Sequence, residues 1–230
     1  MGYVVPRVNR LKTLTQSEIS VSDKSILDYG SNRGNLLEDG IETGDILPEN
    51  YTGMDVDLDS LEYLNEHSPT ATTIHYDRYN PVYNTVGQRL LKFPFSDNTF
   101  DIVYSFSVNT HSSWEDYVFD ISEMVRVSRG VVYSSILDLS VLKILHDKRI
   151  AEYGSAVDFE VFRKVDTGVY FIDNDTVLEL DQEIPHNTDY LLTYYNPEWL
   201  IEEINKLGYS ARVLDSHSPQ IQPLLEIKDN

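Results

Sequence analysis

The residues best suited to chemistry stand in a short turn that follows an apolar run. Ser25-Ile-Leu-Asp-Tyr29 ends in Gly30-Ser31-Asn32-Arg33-Gly34. Gly30 and Gly34 can take positive φ and let the main chain approach a ligand closely. Asn32 is among the few other residue types that tolerate the left-handed region. About 25 residues after Gly30, a second short strand reaches Asp55. A carboxylate at that place in a βαβ unit accepts hydrogen bonds from ribose hydroxyls and disfavours a 2′-phosphate. Taken together, the turn and Asp55 point to an adenosine-type cofactor.

Those residues must be held by a sheet. Strands alternate with helices along the chain, which predicts an α/β fold with a mostly parallel sheet covered on both faces. The expected strands are Ser25–Tyr29, Tyr51–Met54, Thr72–Tyr76, Asp101–Phe106 and Val131–Leu137. Helices are expected over Asn35–Gly44, over Ser60–His67 with Asp59 and Glu62 as a capping box, and from Ser113 to Val127. A further helix is expected over Ser140–Ala151, and a terminal one runs from the cap Asn196 through Pro197 to Gly208. Tyr209–Asp215 and Leu224–Lys228 then form an antiparallel pair at the sheet edge, giving seven strands in all. Between Val157 and Ile184 the period turns strand-like around Asp173-Asn-Asp175, which reads as a β-hairpin insert at about 157–185 in a single domain of 1–230. Asp77 to Lys92, with Pro81 and Gly87, reads as a long loop.

Composition narrows the function classes. The 230 residues carry 38 acidic against 18 basic side chains, a formal charge of -20, with Asp outnumbering Glu 22 to 16. Such a surface repels phosphate backbones, so a nucleic-acid partner is not expected. It suits either an ordinary acidic protein or one adapted to high salt. With no cysteine there is no disulfide, thiolate metal site or cysteine nucleophile. No run approaches the ~18 to 20 apolar residues of a membrane span, and Met1–Arg7 lacks the pattern of a secretory signal. A cytoplasmic location is the expectation. Asp55, Asp57 and Asp59 alternate like calcium ligands, but the accompanying Gly and Glu are missing, so no metal is expected.

These stretches carry a family resemblance. Ile26-Leu-Asp-Tyr-Gly-Ser-Asn-Arg-Gly34 resembles the glycine-rich first motif of class I S-adenosylmethionine-dependent methyltransferases, of the type 11/12-like group. Tyr51-Thr-Gly-Met-Asp-Val-Asp57 resembles their second motif. Leu91 through His111 is similar to their fourth-strand stretch, and Glu123-Met-Val-Arg126 also fits. The resemblance spans roughly residues 24 to 137 and 194 to 228. Asn32 departs from it, standing where the family usually has its central glycine. Asn32 and Asn35 also fill the second and third glycine positions of Gly-x-Gly-x-x-Gly, which argues against a nicotinamide dehydrogenase.

The resemblance implies a Rossmann-like, doubly wound, three-layer α/β/α fold and S-adenosyl-L-methionine as cofactor. It implies that Asp28 and the Gly30, Ser31, Asn32 and Gly34 turn hold the amino-acid portion. Asp55 would bind the ribose, Met54 or Val56 would pack on adenine, and Asp77 would meet the adenine amino group. Ser105, Phe106 and Ser107 would lie beside the sulfonium, and His111 would serve as general base toward an oxygen acceptor. The expected acceptor is a small molecule or a carbohydrate, with Tyr76–Tyr83 and Tyr170, Tyr190, Tyr194 and Tyr195 as candidate pocket residues. Alternatives are a protein or RNA methyltransferase, or a catalytically silent binding module of the same fold.

Overall fold

The computed structural model describes residues 21–80, 84–140, 165–172, 176–185, 191–214 and 222–230. Short apolar runs supply the first strands: β1 (Ile26–Tyr29), β2 (Tyr51–Asp55), β3 (Thr72–His75) and β4 (Phe100–Ser105). Between them stand α1 (Asn35–Thr43) and α2 (Leu58–His67). After β4 come a single 3-10 turn (Asn109–His111), α3 (Trp114–Val127) and β5 (Ser128–Ser135). The chain closes with α4 (Pro197–Lys206), β10 (Tyr209–Leu214) and β11 (Leu224–Asp229).

Seven strands form one sheet in the order β10-β11-β5-β4-β1-β2-β3. β1 pairs in parallel with both β2 and β4, so strand order reverses beside β1. The last strand, β11, runs antiparallel to both β5 and β10. That is the expected doubly wound, mostly parallel sheet with an antiparallel edge pair. Alternate side chains of the strands feed two cores. Leu27, Tyr29, Met54 and Val103 pack with α3 and α4 residues such as Ile121, Met124, Leu200 and Ile204. Ile26, Tyr51, Ile102 and Tyr104 pack on the other face with Leu36, Leu37 and Leu64 of α1 and α2.

Helix ends follow local chemistry. Ser113 caps α3 and accepts the Asp116 N–H at 3.1 Å, and Asn196 caps α4 with Pro197 in its first turn. α2 begins earlier than the Asp59–Glu62 pattern predicts. Asp57 is its N-cap residue, and the Ser60 hydroxyl donates to the Asp57 carboxylate at 2.5 Å. β5 also begins earlier than predicted, at Ser128, because it follows α3 directly with a register shift against β4.

A second, four-stranded sheet has the order β6-β9-β7-β8, from Leu137–Asp138 (β6), Gly168–Ile172 (β7), Thr176–Glu179 (β8) and Leu191–Tyr195 (β9). β7 and β8 are antiparallel neighbours within the predicted insert, whose turn 173–175 lies outside the described residues. β7 also pairs with β9, which leads directly into α4. The hairpin is therefore built into a sheet continuous with the main chain path. Of the predicted helix at Ser140–Ala151, residues 141–151 lie outside the described residues.

Candidate functional site

The parallel registers bring the strand ends to one rim. Tyr29 of β1 faces Met54 of β2 and Ser105 of β4, and Asp55 faces His75 of β3. The segments leaving these strands, Gly30–Gly34, Val56–Asp57, Tyr76–Asp77 and Phe106–Ser107, lie where an open α/β sheet receives its ligand.

The glycine turn adopts the backbone that its sequence predicts. Gly30, Asn32 and Gly34 have φ of 75°, 50° and 85°. A Cβ on Gly30 would stand 2.0 Å from Val108 Cγ2, and one on Gly34 would stand 2.5 Å from Leu64 Cδ1. Two positions in the turn are therefore closed to side chains by conformation and by space together. Asn32 takes the left-handed region as expected, with its own Oδ1 accepting the Arg33 N–H at 2.7 Å. Ser31 is buried, and Gly53 leaves room for it: a Cβ there would lie 2.9 Å from Ser31 Oγ.

Asp55 joins this turn to the second strand. One carboxylate oxygen accepts the Asn32 N–H at 2.7 Å and the other accepts the Asp57 N–H at 2.9 Å. Burial pushes its carboxyl above the ordinary carboxylate range, while those two N–H groups oppose the rise. Asp28 is buried one strand inward and accepts the Tyr51 hydroxyl at 2.6 Å. Of the two residues proposed for adenine packing, Met54 is wholly buried in the α3-side core, whereas Val56 is half-buried at the rim. Asp77 is exposed, and its Oδ1 accepts from Asn84 Nδ2 at 3.0 Å. Backbone bonds brace it, from Gln88 N–H to Asp77 O at 2.9 Å and from Tyr76 N–H to Asp55 O at 2.8 Å.

Beyond β4, Ser105 is buried and its hydroxyl has no hydrogen-bond partner among the described residues. Phe106 is half-buried with its ring nearly parallel to that of Tyr104. Ser107 has φ of 62°, and its N–H donates to Ser135 Oγ at 2.7 Å. Val108 packs on Gly30, so the β1 and β4 exits touch.

His111 lies on the 3-10 turn, with Nδ1 2.8 Å from the Leu191 carbonyl oxygen. A carbonyl only accepts, so Nδ1 carries the proton and Nε2 is the basic nitrogen. Thr193 Oγ1 donates to Ser112 O at 2.6 Å, and Trp114 N–H donates to Tyr170 OH at 2.8 Å. The second sheet is thereby docked on residues 111–114.

The tyrosines expected to line an acceptor pocket divide differently. Tyr76, Tyr170 and Tyr195 are buried packing residues, Tyr79 is exposed and Tyr194 is half-buried. Tyr190 and residues 81–83 lie outside the described residues. Tyr195 packs with Trp114, Tyr117 and Trp199 in one aromatic cluster. Sequence reasoning missed Val108, Ser135, Asn84 and Tyr51, whose partners are distant in sequence or on another strand. The β-strand alternation could have paired Tyr51 with Asp28, since both point to the α1 and α2 face.

The rim suits S-adenosylmethionine by the chemistry of its donors and acceptors. Carboxylates at adjacent strand ends match hydroxyl and amino donors, and they stabilise a cationic sulfonium. The orphaned Ser105 hydroxyl at the end of β4 is a polar group awaiting a partner.

Comparisons with known proteins agree with this fold. A family model described as a methyltransferase domain matches residues 27–132. A solved SAM-dependent methyltransferase from Methanosarcina mazei is similar at 15% identity and a TM-score of 0.55, covering 90% of this chain and 93% of that one. Magnesium protoporphyrin IX methyltransferase of Synechocystis PCC 6803, solved with bound SAH, is similar at 13% identity and a TM-score of 0.56, over 100% and 90% of the two chains. The glycopeptide N-methyltransferase MtfA complexed with S-adenosylmethionine is similar at 10% identity and a TM-score of 0.58, over 100% and 89%. The strand order is that of a Rossmann-like methyltransferase fold, and the family match runs from β1 into β5. Residues 27–132 thus match a methyltransferase domain, and the chain shares its fold with S-adenosylmethionine-dependent methyltransferases, among them one solved with SAH and one with S-adenosylmethionine. Among the described residues no helix is long and apolar enough to cross a membrane.

Proposed function

We propose that the chain is a class I S-adenosylmethionine-dependent methyltransferase acting on a hydroxyl of a small molecule or sugar, with His111 as the general base. S-adenosylmethionine, when bound, supplies a methyl group on a sulfonium, and the protein chiefly aligns donor and acceptor. Asp55 holds the ribose, Asp77 the adenine amino group, and Val56 packs on the base. The Gly30–Gly34 backbone holds the amino-acid portion. Asp28 acts from beneath that turn, and Ser105, Phe106 and Ser107 border the reacting end. At His111, Nε2 would take the acceptor's hydroxyl proton as the oxygen gains the methyl group and the sulfur–methyl bond breaks, leaving S-adenosylhomocysteine. The second sheet, including the hairpin of the insert, forms the acceptor side.

The observation that carries this reading is the His111 Nδ1 contact with Leu191 O at 2.8 Å. It supports a fixed ring whose Nε2 is the basic nitrogen, on the segment that leaves β4. The charge of -20 favours a small acceptor over a polyanionic one. The similar proteins include a magnesium protoporphyrin IX methyltransferase and a glycopeptide N-methyltransferase, whose named substrates differ in kind.

Calorimetry with S-adenosylhomocysteine, followed by an acceptor screen read by its release, tests the proposal. Binding that weakens in Asp55→Ala, with turnover on a hydroxyl compound, is the expected result. No binding at millimolar ligand, with Asp55→Ala behaving as the parent, overturns the cofactor site. Turnover confined to amines, or to protein or RNA, overturns the acceptor assignment.

A further inference from the structure

Asp77 is exposed, yet both of its chain neighbours are buried, Tyr76 at 1% and Arg78 at 6% exposure. Arg78 carries its guanidinium inside the protein. Nη2 donates to Asp116 Oδ1 at 2.9 Å, and Nη1 donates to Tyr29 OH at 3.2 Å and to Asp120 Oδ1. Tyr29 OH itself donates to Asp120 Oδ2 at 3.1 Å, and the guanidinium lies 5.7 Å from the Phe119 ring centroid. One side chain thus joins the exit of β3, the last residue of β1 and the first turns of α3.

Burying an arginine with two aspartates is costly where an apolar side chain would pack. What the arrangement supplies is geometry, because a planar guanidinium fixes direction as well as distance. The connection it anchors has no helix among its described residues, and Asp77 stands at its start. Arg89, from the same connection, lies 3.5 Å from Asp116, which also accepts the hydroxyl of the α3 cap Ser113 at 2.7 Å. The β3–β4 connection is therefore strapped to the end of α3 that follows His111.

We propose that Arg78 is a positioning residue: its clamp on Asp116, Asp120 and Tyr29 sets the Asp77 carboxylate for the amino group of the cofactor's base. This rests on the reading that Asp77 meets that amino group. A site built around a hydrogen bond rejects a ligand that lacks it, so the clamp is read out in base discrimination.

The test compares S-adenosylhomocysteine with S-inosylhomocysteine, which carries a 6-oxo group in place of the amino group, by calorimetry on the whole chain. The parent is expected to prefer the amino base by about tenfold or more. Arg78→Met combined with Asp120→Asn, which neutralises the most buried pair and leaves Asp116 its Arg89 contact, is expected to bring that ratio close to one. In turnover it raises the cofactor KM and leaves the acceptor KM unchanged. If the double variant does not fold, Asp116→Asn decides, because it keeps the Arg78–Asp120 pair and removes one anchor; a ratio lowered at least about threefold is expected. A folded double variant, or failing that Asp116→Asn, with the parent's ratio overturns the proposal. A parent that binds S-adenosylhomocysteine without discriminating overturns it too, while the cofactor reading survives. A parent that binds neither ligand overturns both.

Discussion

The carboxylate of Asp55 is bonded to the backbone of Asn32, 2.7 Å from Oδ2 to the amide nitrogen, across 23 residues of sequence. The acid at the end of β2 thus helps to hold the glycine turn at the end of β1, besides facing the rim. Asp55→Ala is expected to weaken S-adenosylhomocysteine binding by about tenfold or more, since a hydrogen bond to a charged group contributes roughly 1.5–3 kcal/mol. Asp55→Asn, which keeps one acceptor oxygen, should lose less. Calorimetric titration of the two variants checks the order.

Affinity should also depend on pH through the same group. Burial raises the Asp55 carboxyl above its ordinary value, and ribose hydroxyls donating to the carboxylate would draw it back down. Binding then releases a proton, and affinity falls as pH drops through the raised value. Stability of the ligand-free protein carries the opposite sign. The contribution of a raised acid is complete below its unfolded value and is lost as pH rises through the folded one. Titrations in two buffers of different ionisation enthalpy measure the proton release, and zero release across acidic pH contradicts the prediction.

The departure of Asn32 from the family's glycine is tolerated because Asn adopts the φ of 50° that the turn requires. Asn32→Gly should therefore keep cofactor affinity within about threefold, whereas Asn32→Val should lose about 1–2 kcal/mol of stability. Gly30→Ala is a harsher change. It meets both a φ of 75° and a Val108 methyl 2.0 Å from the new Cβ, so it should destabilise the fold and abolish cofactor binding. Gly30→Ala with Val108→Ala relieves the clash and leaves the strain, so partial recovery of thermal stability is expected.

Glu123 and Arg126 form a second buried anchor. Glu123 Oε2 accepts the Phe93 N–H and Arg126 Nη2, each at 2.7 Å, while Arg126 reaches Phe95 O and Asp97. Removing either partner leaves a half-buried charge, so Arg126→Met should cost about 2–4 kcal/mol. Burial pushes the Glu123 carboxyl up, but the Arg126 pair and the Phe93 N–H outweigh it and leave it below the usual range. Its stabilisation is present above the unfolded value and is lost as pH falls through the folded one. Glu123→Gln should therefore be less stable at neutral pH and show a shallower acid decline in thermal melts.

Much of this fold is written in local sequence, and the rest in partners far apart. Gly30, Asn32 and Gly34 carry their turn in their residue types, and Ser113, Asn196 and Pro197 mark helix starts wherever they occur. The seven strands follow from short apolar runs between helices. Asp57 rather than Asp59 stands at the N-cap position of α2, directly after β2, with its carboxylate taken by the Ser60 hydroxyl rather than by a backbone N–H. Arg78 falls in the predicted loop and in the candidate pocket stretch Tyr76–Tyr83, yet its guanidinium is buried on Asp116 and Asp120, and nothing adjacent in sequence shows that they will meet it. Tyr170 and Tyr195 are buried because β9 and β7 fold onto Trp114 and Tyr117, a contact that no local pattern encodes.

With Nδ1 of His111 donating to Leu191 O, the ring is held by the second sheet, and proton acceptance falls to Nε2. His111→Ala should leave S-adenosylhomocysteine affinity within about threefold and lower kcat on a hydroxyl acceptor by about 100-fold, within the usual range for a general base. His111→Asn can keep the bond to Leu191 but offers no base, so it separates orientation from proton transfer. If both variants lose turnover alike while the thermal melt of His111→Asn stays at the parent's, the loss belongs to the base. If His111→Asn keeps near-parent turnover, the ring is only a strut between the β4 exit and β9. An acceptor with an acidic hydroxyl, which ionises without help, should be methylated by all three proteins at similar rates, and that comparison reads the base directly.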